Sequence, residues 1–328
     1  MPNVALDSGR RVLIAGVSTR AMAESAARAG YAVTSLDAFG DLDQHPAVRA
    51  LSLPRDFGMA FTARAVAGVA ESIESDGVVY LSPFENHTSA LAALAHGRVL
   101  WGNPPAVVRR ARDPNVLAEL GEPWEALGSD RWLLKPRASG GGHGVRWWNP
   151  GDAVPKGWHV QRFVEGVPSS IVFVAAGGRA VPLAVTRQLI GDASFGASGF
   201  RYCGSVVIPS AGARVSGQGS CRDRPEAVIA SDARDRDRRG RELVIPSEAR
   251  DRDHPGRGAK LFDAAAALAR AAARKLDLVG LNCIDFIDHD DVAVPIEINP
   301  RWSASMELVE PAHGLSMFAA HASACTTG

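Results

Sequence analysis

The chain lacks most of the features that announce a role at sight. Its four cysteines, Cys203, Cys221, Cys283 and Cys325, are scattered without paired spacing, which argues against a disulfide framework and against a zinc site. It has no net charge. Its 36 basic residues are balanced by 36 acidic ones, so no global field draws nucleic acid or an anionic membrane. No apolar run is long enough to span a bilayer, and Met1 to Arg11 has no signal-peptide core. There is no G-x-x-x-x-G-K-S/T, which excludes a P-loop nucleotidase. Gly16-Val-Ser-Thr-Arg-Ala has one glycine where a dinucleotide fingerprint needs three, which disfavours a nicotinamide enzyme. Lysine is scarce, arginine supplying most of the basic residues. These absences lead us to expect a cytoplasmic protein that acts on small molecules.

What is present suits a large core. Hydrophobic residues make up 46% of the chain, an ordinary share for a globular protein, and 328 residues are enough for two domains. Arg11–Ala15 reads as a buried parallel strand, 20–30 as an alanine-rich helix closed by Gly30, and 31–37 as the next strand. This β-α-β start predicts a Rossmann-like layer. A helix over 60–75 and a strand over 77–81 continue it. That strand leads to Ser82-Pro-Phe-Glu85-Asn86. Open α/β sheets bind ligands just beyond the carboxyl ends of their strands, so Glu85 and Asn86 are candidate substrate contacts. Their alternative role is to cap a helix over 87–96. Val99–Gly102 closes a first domain, 1–106, and a second covers 107–328.

The most informative segment lies in that second domain. Gly280-Leu-Asn-Cys-Ile-Asp285-Phe-Ile-Asp-His-Asp-Asp-Val-Ala-Val-Pro-Ile-Glu297-Ile-Asn299-Pro-Arg301 reads as two strands around a polar turn at 289–291. Alternate side chains of a strand share a face, which groups Glu297, Asn299 and Arg301. An antiparallel hairpin centred near Asp291 sets Asp285 opposite Glu297. Two opposed carboxylates repel, unless a divalent cation turns them into a site. Oxygen-only ligands with an amide as the third suit Mg²⁺ or Mn²⁺ holding phosphates. A surface hairpin with scattered charge is the plainer alternative.

Two upstream segments bear on that choice. In Arg131-Trp-Leu-Leu-Lys135-Pro-Arg-Ala-Ser139-Gly140-Gly141-Gly142-His-Gly144-Val-Arg146, a strand meets a glycine-rich loop and then resumes. Glycines let backbone N–H groups approach phosphate oxygens, and Lys135 can reach the same oxygens as a point charge. A plain hairpin turn would look similar. His159-Val-Gln161-Arg-Phe163-Val164-Glu165-Gly166 is a short strand running into a turn. Such a strand end can offer a flat apolar slot and backbone groups to an adenine, with Glu165 accepting from a ribose hydroxyl or an adenine amine.

Taken in order, these three segments resemble the ATP-grasp superfamily, over Arg131 to Arg301. The resemblance implies an α/β plus α+β chain: a Rossmann-like N-terminal domain, then a two-lobed ATP-grasp domain with ATP between its lobes. It implies that Lys135 contacts phosphates and that the loop bearing Ser139, Gly140, Gly141, Gly142 and Gly144 closes over them. Gln161, Phe163, Val164 and Glu165 would line adenine and ribose. Asp285, Glu297 and Asn299 would bind Mg²⁺ or Mn²⁺, and Arg301 would stabilise the transferring phosphoryl group or an acyl phosphate. Many relatives carry a second phosphate-contacting lysine, where this chain has Arg109-Arg-Ala-Arg112-Asp-Pro-Asn, so an arginine stands in.

A narrower resemblance rests on Val181–Gly191, Phe200–Gly204 and Asn299–Glu310. These segments are similar to ATP-grasp proteins encoded near one-carbon-metabolism genes and related to tyramine–glutamate ligases. The activity this implies is an ATP-dependent ligase joining a carboxylate to an amine through an acyl phosphate. Another ATP-grasp phosphotransferase and a degenerate nucleotide-binding module are the alternatives. Arg187, read on a strand, is a candidate to hold a substrate carboxylate bidentately, with a plain salt bridge as its alternative, and Glu85 and Ser303 are candidates for the substrate pocket. The resemblance suggests a homodimer.

One stretch stands apart. Between 211 and 258, Glu226–Asp237 is nearly repeated as Glu242–Asp253, with arginine and acid interleaved and no aromatics. Two copies are too few for a solenoid, and we expect a mostly disordered polyampholyte insertion. Interleaved acids cancel the field an arginine-rich nucleic-acid arm would need.

Overall fold

A computed structural model describes residues 9–120, 129–208, 228–230 and 257–327. The first layer is a five-stranded parallel sheet in the order β3-β2-β1-β4-β5. Its strands and helices run β1 (Arg11–Ala15), α1 (Arg20–Arg28), β2 (Ala32–Asp37), β3 (Val48–Ser52), α2 (Leu53–Phe57), α3 (Ala63–Ala70), β4 (Gly77–Tyr80), α4 (Thr88–Leu94) and β5 (Val99–Leu100). The central strands β1 and β4 are apolar on both faces and almost wholly buried, as strands covered by helices on both sides must be. The Rossmann-like expectation therefore holds. The edge strand β3 carries no comparable apolar run and is missing from the sequence reading. Helix α3 starts later than expected because the Thr62 side chain caps it, accepting from Ala65 N at 3.0 Å, and it ends at Ala70.

Helices α5 (Pro105–Ala111) and α6 (Pro114–Ala118) lead into the second part, so the expected boundary at 106 falls inside α5. A small antiparallel sheet follows, in the order β7-β6-β8, built from β6 (Trp132–Pro136), β7 (Arg146–Trp148) and β8 (Trp158–Arg162). A six-stranded antiparallel sheet completes the domain. It contains β9 (Val167–Ala176), β10 (Arg179–Ile190), β11 (Tyr202–Ile208), β12 (Val228–Ala230), β13 (Gly280–His289) and β14 (Val292–Asn299), in the order β12-β11-β10-β9-β13-β14. The two sheets are the two lobes expected. Helix α7 (Arg257–Leu276) precedes β13, and α8 (Ser305–His313) and α9 (Met317–Thr327) end the chain.

Strand parity decides what each face of the large sheet does. Ile171, Phe173, Val185, Ile284 and Phe286 pack with Leu261, Ala265, Leu268 and Ala272 of α7. The alternate residues Val172, Ala184, Leu281 and Cys283 join Val12, Ile14, Met22 and Phe318 in a core shared with the first layer. This common core fixes the large sheet against β1 and α1. Burial of this order, at about 25 cal/mol per Å² of apolar surface, is the dominant favourable contribution.

Only residues 228–230 and 257–258 of the expected insertion are described. Val228–Ala230 pairs antiparallel with Gly204–Val206 as an edge strand, and α7 begins at Arg257, so the segment is not structureless throughout. The rest of 211–258, with nearly all of its repeat, lies outside the described residues.

Candidate active site

The cavity between the two lobes holds about 560 Å³. Lys135, Ser139, Gly140, Gly141, Gly142, Gln161, Phe163, Val164, Asp285, Glu297, Asn299, Arg301 and Ser303 all line it. The other sequence-derived candidates, Gly144, Glu165, Arg187, Glu85 and Asn86, do not. Gly144 sits behind the loop against Pro136. Glu165 is exposed, and its carbonyl accepts from His289 Nδ1 at 2.8 Å. Arg187 has the parity of Val185, whose face packs on α7. The cavity-lining residue of that strand is its neighbour Gln188, which donates to Asp285 Oδ1 at 2.9 Å. Arginine was the chemically attractive residue of the pair, but strand alternation assigns the place to glutamine.

A β-bulge sets the geometry of the acidic hairpin. The turn at Asp290 and Asp291, both with positive φ, pairs His289 with Val292. Continued without interruption, that register would bring Ile296 opposite Asp285. The ladder instead shifts between Asp285 and Phe286, and Asp285 pairs with Glu297. The Ile296 carbonyl receives Lys135 Nζ at 3.3 Å and Gln161 Nε2 at 3.3 Å. Lys135 Nζ also donates to Gln161 Oε1 at 2.8 Å. One extra residue thus aligns two carboxylates and anchors the lysine beside them.

The charges in this cluster are tightly coupled. Burial, and then the neighbouring Glu297, push Asp285 up to about 7. Burial also works against ionised Glu297, but Arg112 and then Lys135 outweigh it and hold that carboxyl below its usual range. Burial lowers Lys135. Asn299 Nδ2 donates to Asp285 Oδ2 at 2.9 Å. Two carboxylates and one amide oxygen are a small, hard donor set. This fits a cation such as Mg²⁺, which keeps several waters and takes few protein ligands alongside phosphates. Among the described residues, no group of three or more His, Cys, Asp or Glu side chains could hold a metal by itself.

Arg112, just past the end of α5, is drawn into the same cluster. It forms an ion pair with Glu297 and donates to the carbonyls of Ser139 at 3.3 Å and Ile298 at 3.4 Å. It also donates to Asn86 Oδ1 at 3.2 Å. Arg112 therefore bridges the glycine-rich loop and the acidic strand. The expected capping role for Glu85 and Asn86 does not hold, because His87 occupies the N-cap of α4. Glu85 and Asn86 lie in a short turn after β4, where Asn86 meets Arg112 and Glu85 pairs with Arg301. Glu85 does not itself line the cavity.

The glycine-rich loop is clamped from the opposite lobe. Tyr202 N donates to the Gly141 carbonyl at 3.1 Å. Gly142, at φ +72°, lies so close to the Phe200 carbonyl that a Cβ would come within 1.8 Å of that oxygen. Trp147 on the small sheet stacks edge-on with Phe200 at 5.3 Å, and Arg131 covers its ring at 3.7 Å.

Comparison with known proteins agrees with this architecture. Residues 115–216 match the family profile of the ATP-grasp domain. The chain is similar in structure to the biotin carboxylase domain of Hydrogenobacter thermophilus 2-oxoglutarate carboxylase, described with MgADP and bicarbonate. There the TM-score is 0.60 at 12% identity, over 97% of this chain and 70% of that one. For an ADP complex of N5-carboxyaminoimidazole ribonucleotide synthetase the TM-score is 0.60 at 17% identity, over 97% and 77%. For the L-amino acid ligase from Bacillus licheniformis it is 0.58 at 18% identity, over 97% and 74%. No curated protein sequence matches significantly. Among the described residues no helix is long and apolar enough to cross a membrane. The chain therefore carries a segment that matches the ATP-grasp domain, residues 115–216, within an overall fold shared with these structures.

Proposed function

We propose that the protein is an ATP-dependent ligase that joins a carboxylate to an amine. The observation that carries this reading is the convergence of Lys135, Asp285, Glu297, Asn299 and Arg301 in one cavity beneath a clamped glycine-rich loop. Asp285, Glu297 and Asn299 would hold Mg²⁺ or Mn²⁺, which neutralises phosphate charge and helps orient the phosphates. Lys135 would neutralise non-bridging oxygens, with Gln161 and the Ile296 carbonyl fixing its position. The backbone of Gly140–Gly142 would cover the phosphates. Leu133, Phe163, Val164 and Ile296 line the cavity and offer an apolar slot to a base.

In the reaction, a carboxylate oxygen attacks the γ-phosphorus. The bond to the β–γ bridging oxygen breaks, and ADP leaves with that electron pair. The amine nitrogen then attacks the acyl carbon, phosphate departs with the former carboxylate oxygen, and the ammonium's surplus protons pass to phosphate and solvent. The protein supplies positioning and charge neutralisation rather than covalent chemistry. Arg301 faces the charge that develops on the acyl phosphate.

The test has two arms. ADP and phosphate release should require both an acid and an amine. Lys135→Ala and Glu297→Ala should each weaken Mg·ATP binding at least ten-fold. Unchanged nucleotide affinity in both variants would refute the site assignment, and formation of a stable phosphorylated product without an amine would favour a phosphotransferase.

A further inference from the structure

The end of the cavity beyond Asp285 has a different chemistry from the nucleotide end. Its polar lining is Gln188, Tyr202, Ser205, Cys283, Ser303 and Ser305. The hydroxyls are paired, Tyr202 Oη with Ser205 Oγ at 2.9 Å and Ser303 Oγ with Ser305 Oγ at 3.0 Å. A hydroxyl can donate or accept, so these pairs can re-form around a bound hydroxyl, carbonyl or amide. They cannot neutralise a full charge. Two charged side chains border this end, and Arg301 keeps its Nε without a hydrogen-bond partner. Arg301 is paired with Glu85, and Asp285 accepts from Gln188 and Asn299. Arg187, the one arginine on this part of β10, does not line the cavity.

From this lining, and resting on the ligase reading above, we infer that the acid substrate is a small monocarboxylate whose other substituents are uncharged hydrogen-bonding groups, such as a hydroxy acid. Its reacting carboxylate takes Arg301. The side chains of this end, Gln188, Tyr202, Ser205, Cys283, Ser303 and Ser305, offer no cation to a second carboxylate and no carboxylate to an α-ammonium. The cavity's other cations, Arg112, Lys135, Arg137 and Arg162, line it with the glycine-rich loop and the small sheet. A charge carried into a confined site without a partner is strongly disfavoured. Dicarboxylates and zwitterionic amino acids are therefore poor acid donors here.

The experiment uses the full-length protein with saturating Mg·ATP and hydroxylamine as a general amine acceptor. Hydroxamate and ADP formation are compared across glycolate, lactate and glycerate against malonate, succinate, glutamate and alanine. The expected result is a kcat/KM at least ten-fold higher for the best hydroxy acid than for any dicarboxylate or amino acid. Ser303→Ala should then raise KM for that hydroxy acid several-fold while leaving Mg·ATP affinity unchanged. Equal or better turnover of a dicarboxylate or amino acid overturns this inference and leaves the ligase reading standing. Tight Mg·ATP binding with no hydroxamate from any acid overturns the ligase reading and this inference with it.

Discussion

Glu85 and Arg301, 216 positions apart in the chain, meet as a buried ion pair with Oε1 and Nη2 at 2.5 Å. One comes from the turn after the fourth parallel strand and the other follows the last strand of the large sheet. The glutamate is 1% exposed and the arginine 12%, so water screens the pair little. Burial opposes both charges, and each is retained because of the other. Arg301 holds Glu85 below the usual carboxylate range, and Glu85 raises Arg301. Glu85 is thus a positioning residue for Arg301.

Glu85→Ala should destabilise the fold by roughly 3–5 kcal/mol, because it strands a buried guanidinium. Glu85→Gln keeps the shape and a hydrogen-bond acceptor. It should leave Mg·ATP affinity within about two-fold while lowering kcat at least ten-fold, since in the proposed reaction the arginine it holds acts on the transferring group. Nucleotide titration and steady-state kinetics on the glutamine variant separate these effects. Equal losses in nucleotide binding and turnover would point to a general collapse of the cavity.

Arg112 makes a different prediction. Its guanidinium ties Glu297 to the Ser139 carbonyl of the glycine-rich loop. Arg112→Ala should weaken Mg·ATP binding about ten-fold and speed hydrogen exchange over 137–144. Arg112→Lys should restore part of the affinity, because a point charge can reach phosphate, but not the loop protection. Lysine cannot contact several carbonyls and a carboxylate with one planar fork.

Gly142 is constrained twice, by its positive φ and by the Phe200 carbonyl. Gly142→Ala must push the loop away from 200–202, which breaks the Tyr202 N contact to Gly141. Nucleotide affinity should fall at least ten-fold with little change in melting temperature, since the clash lies at a loop and not in the core. Gly151, also at positive φ, has no atom within 4 Å of an added Cβ, so Gly151→Ala serves as the control for strain alone.

The hairpin was legible because its information is local. Alternation gives the face, a hairpin centred near Asp291 sets Asp285 opposite Glu297, and Asp285 does pair with Glu297. The bulge that makes this register possible was not read, although Pro295, which cannot donate to the ladder and adjoins the extra residue Ile296, marks an edge or a bulge. Lys135 and the glycine-rich loop were legible for the same local reason. The roles of Glu85, Asn86 and Arg112 were not, because each depends on a partner that only the packed core brings near. Gln188 could have been found in place of Arg187. Thr186 and Gln188 share a face, and Thr186 pairs across the sheet with Ser170, itself beside Asp285. Following that polar row from strand to strand would have set the parity.

The last prediction concerns the joint between the two parts of the chain. His321 on α9 is buried, and its Nδ1 accepts from Leu281 N at 3.0 Å, which leaves Nε2 to donate to the Trp101 carbonyl at 3.2 Å. That tautomer is neutral and is used on both sides, so a second proton would have to displace the Leu281 bond. Burial lowers its pKa from 6.5 to about 4. The sign follows from linkage: the unfolded chain binds the proton more readily, so the stability held by neutral His321 is full above about pH 6.5 and is lost as pH falls toward 4. At about 1.4 kcal/mol per pKa unit, the loss approaches roughly 3 kcal/mol. Denaturant unfolding of the wild type between pH 7.5 and pH 4.5 should show this decline. In His321→Gln, less stable at neutral pH, the decline should be shallower by a comparable amount. Parallel pH profiles for the two proteins would place the acid sensitivity in other groups.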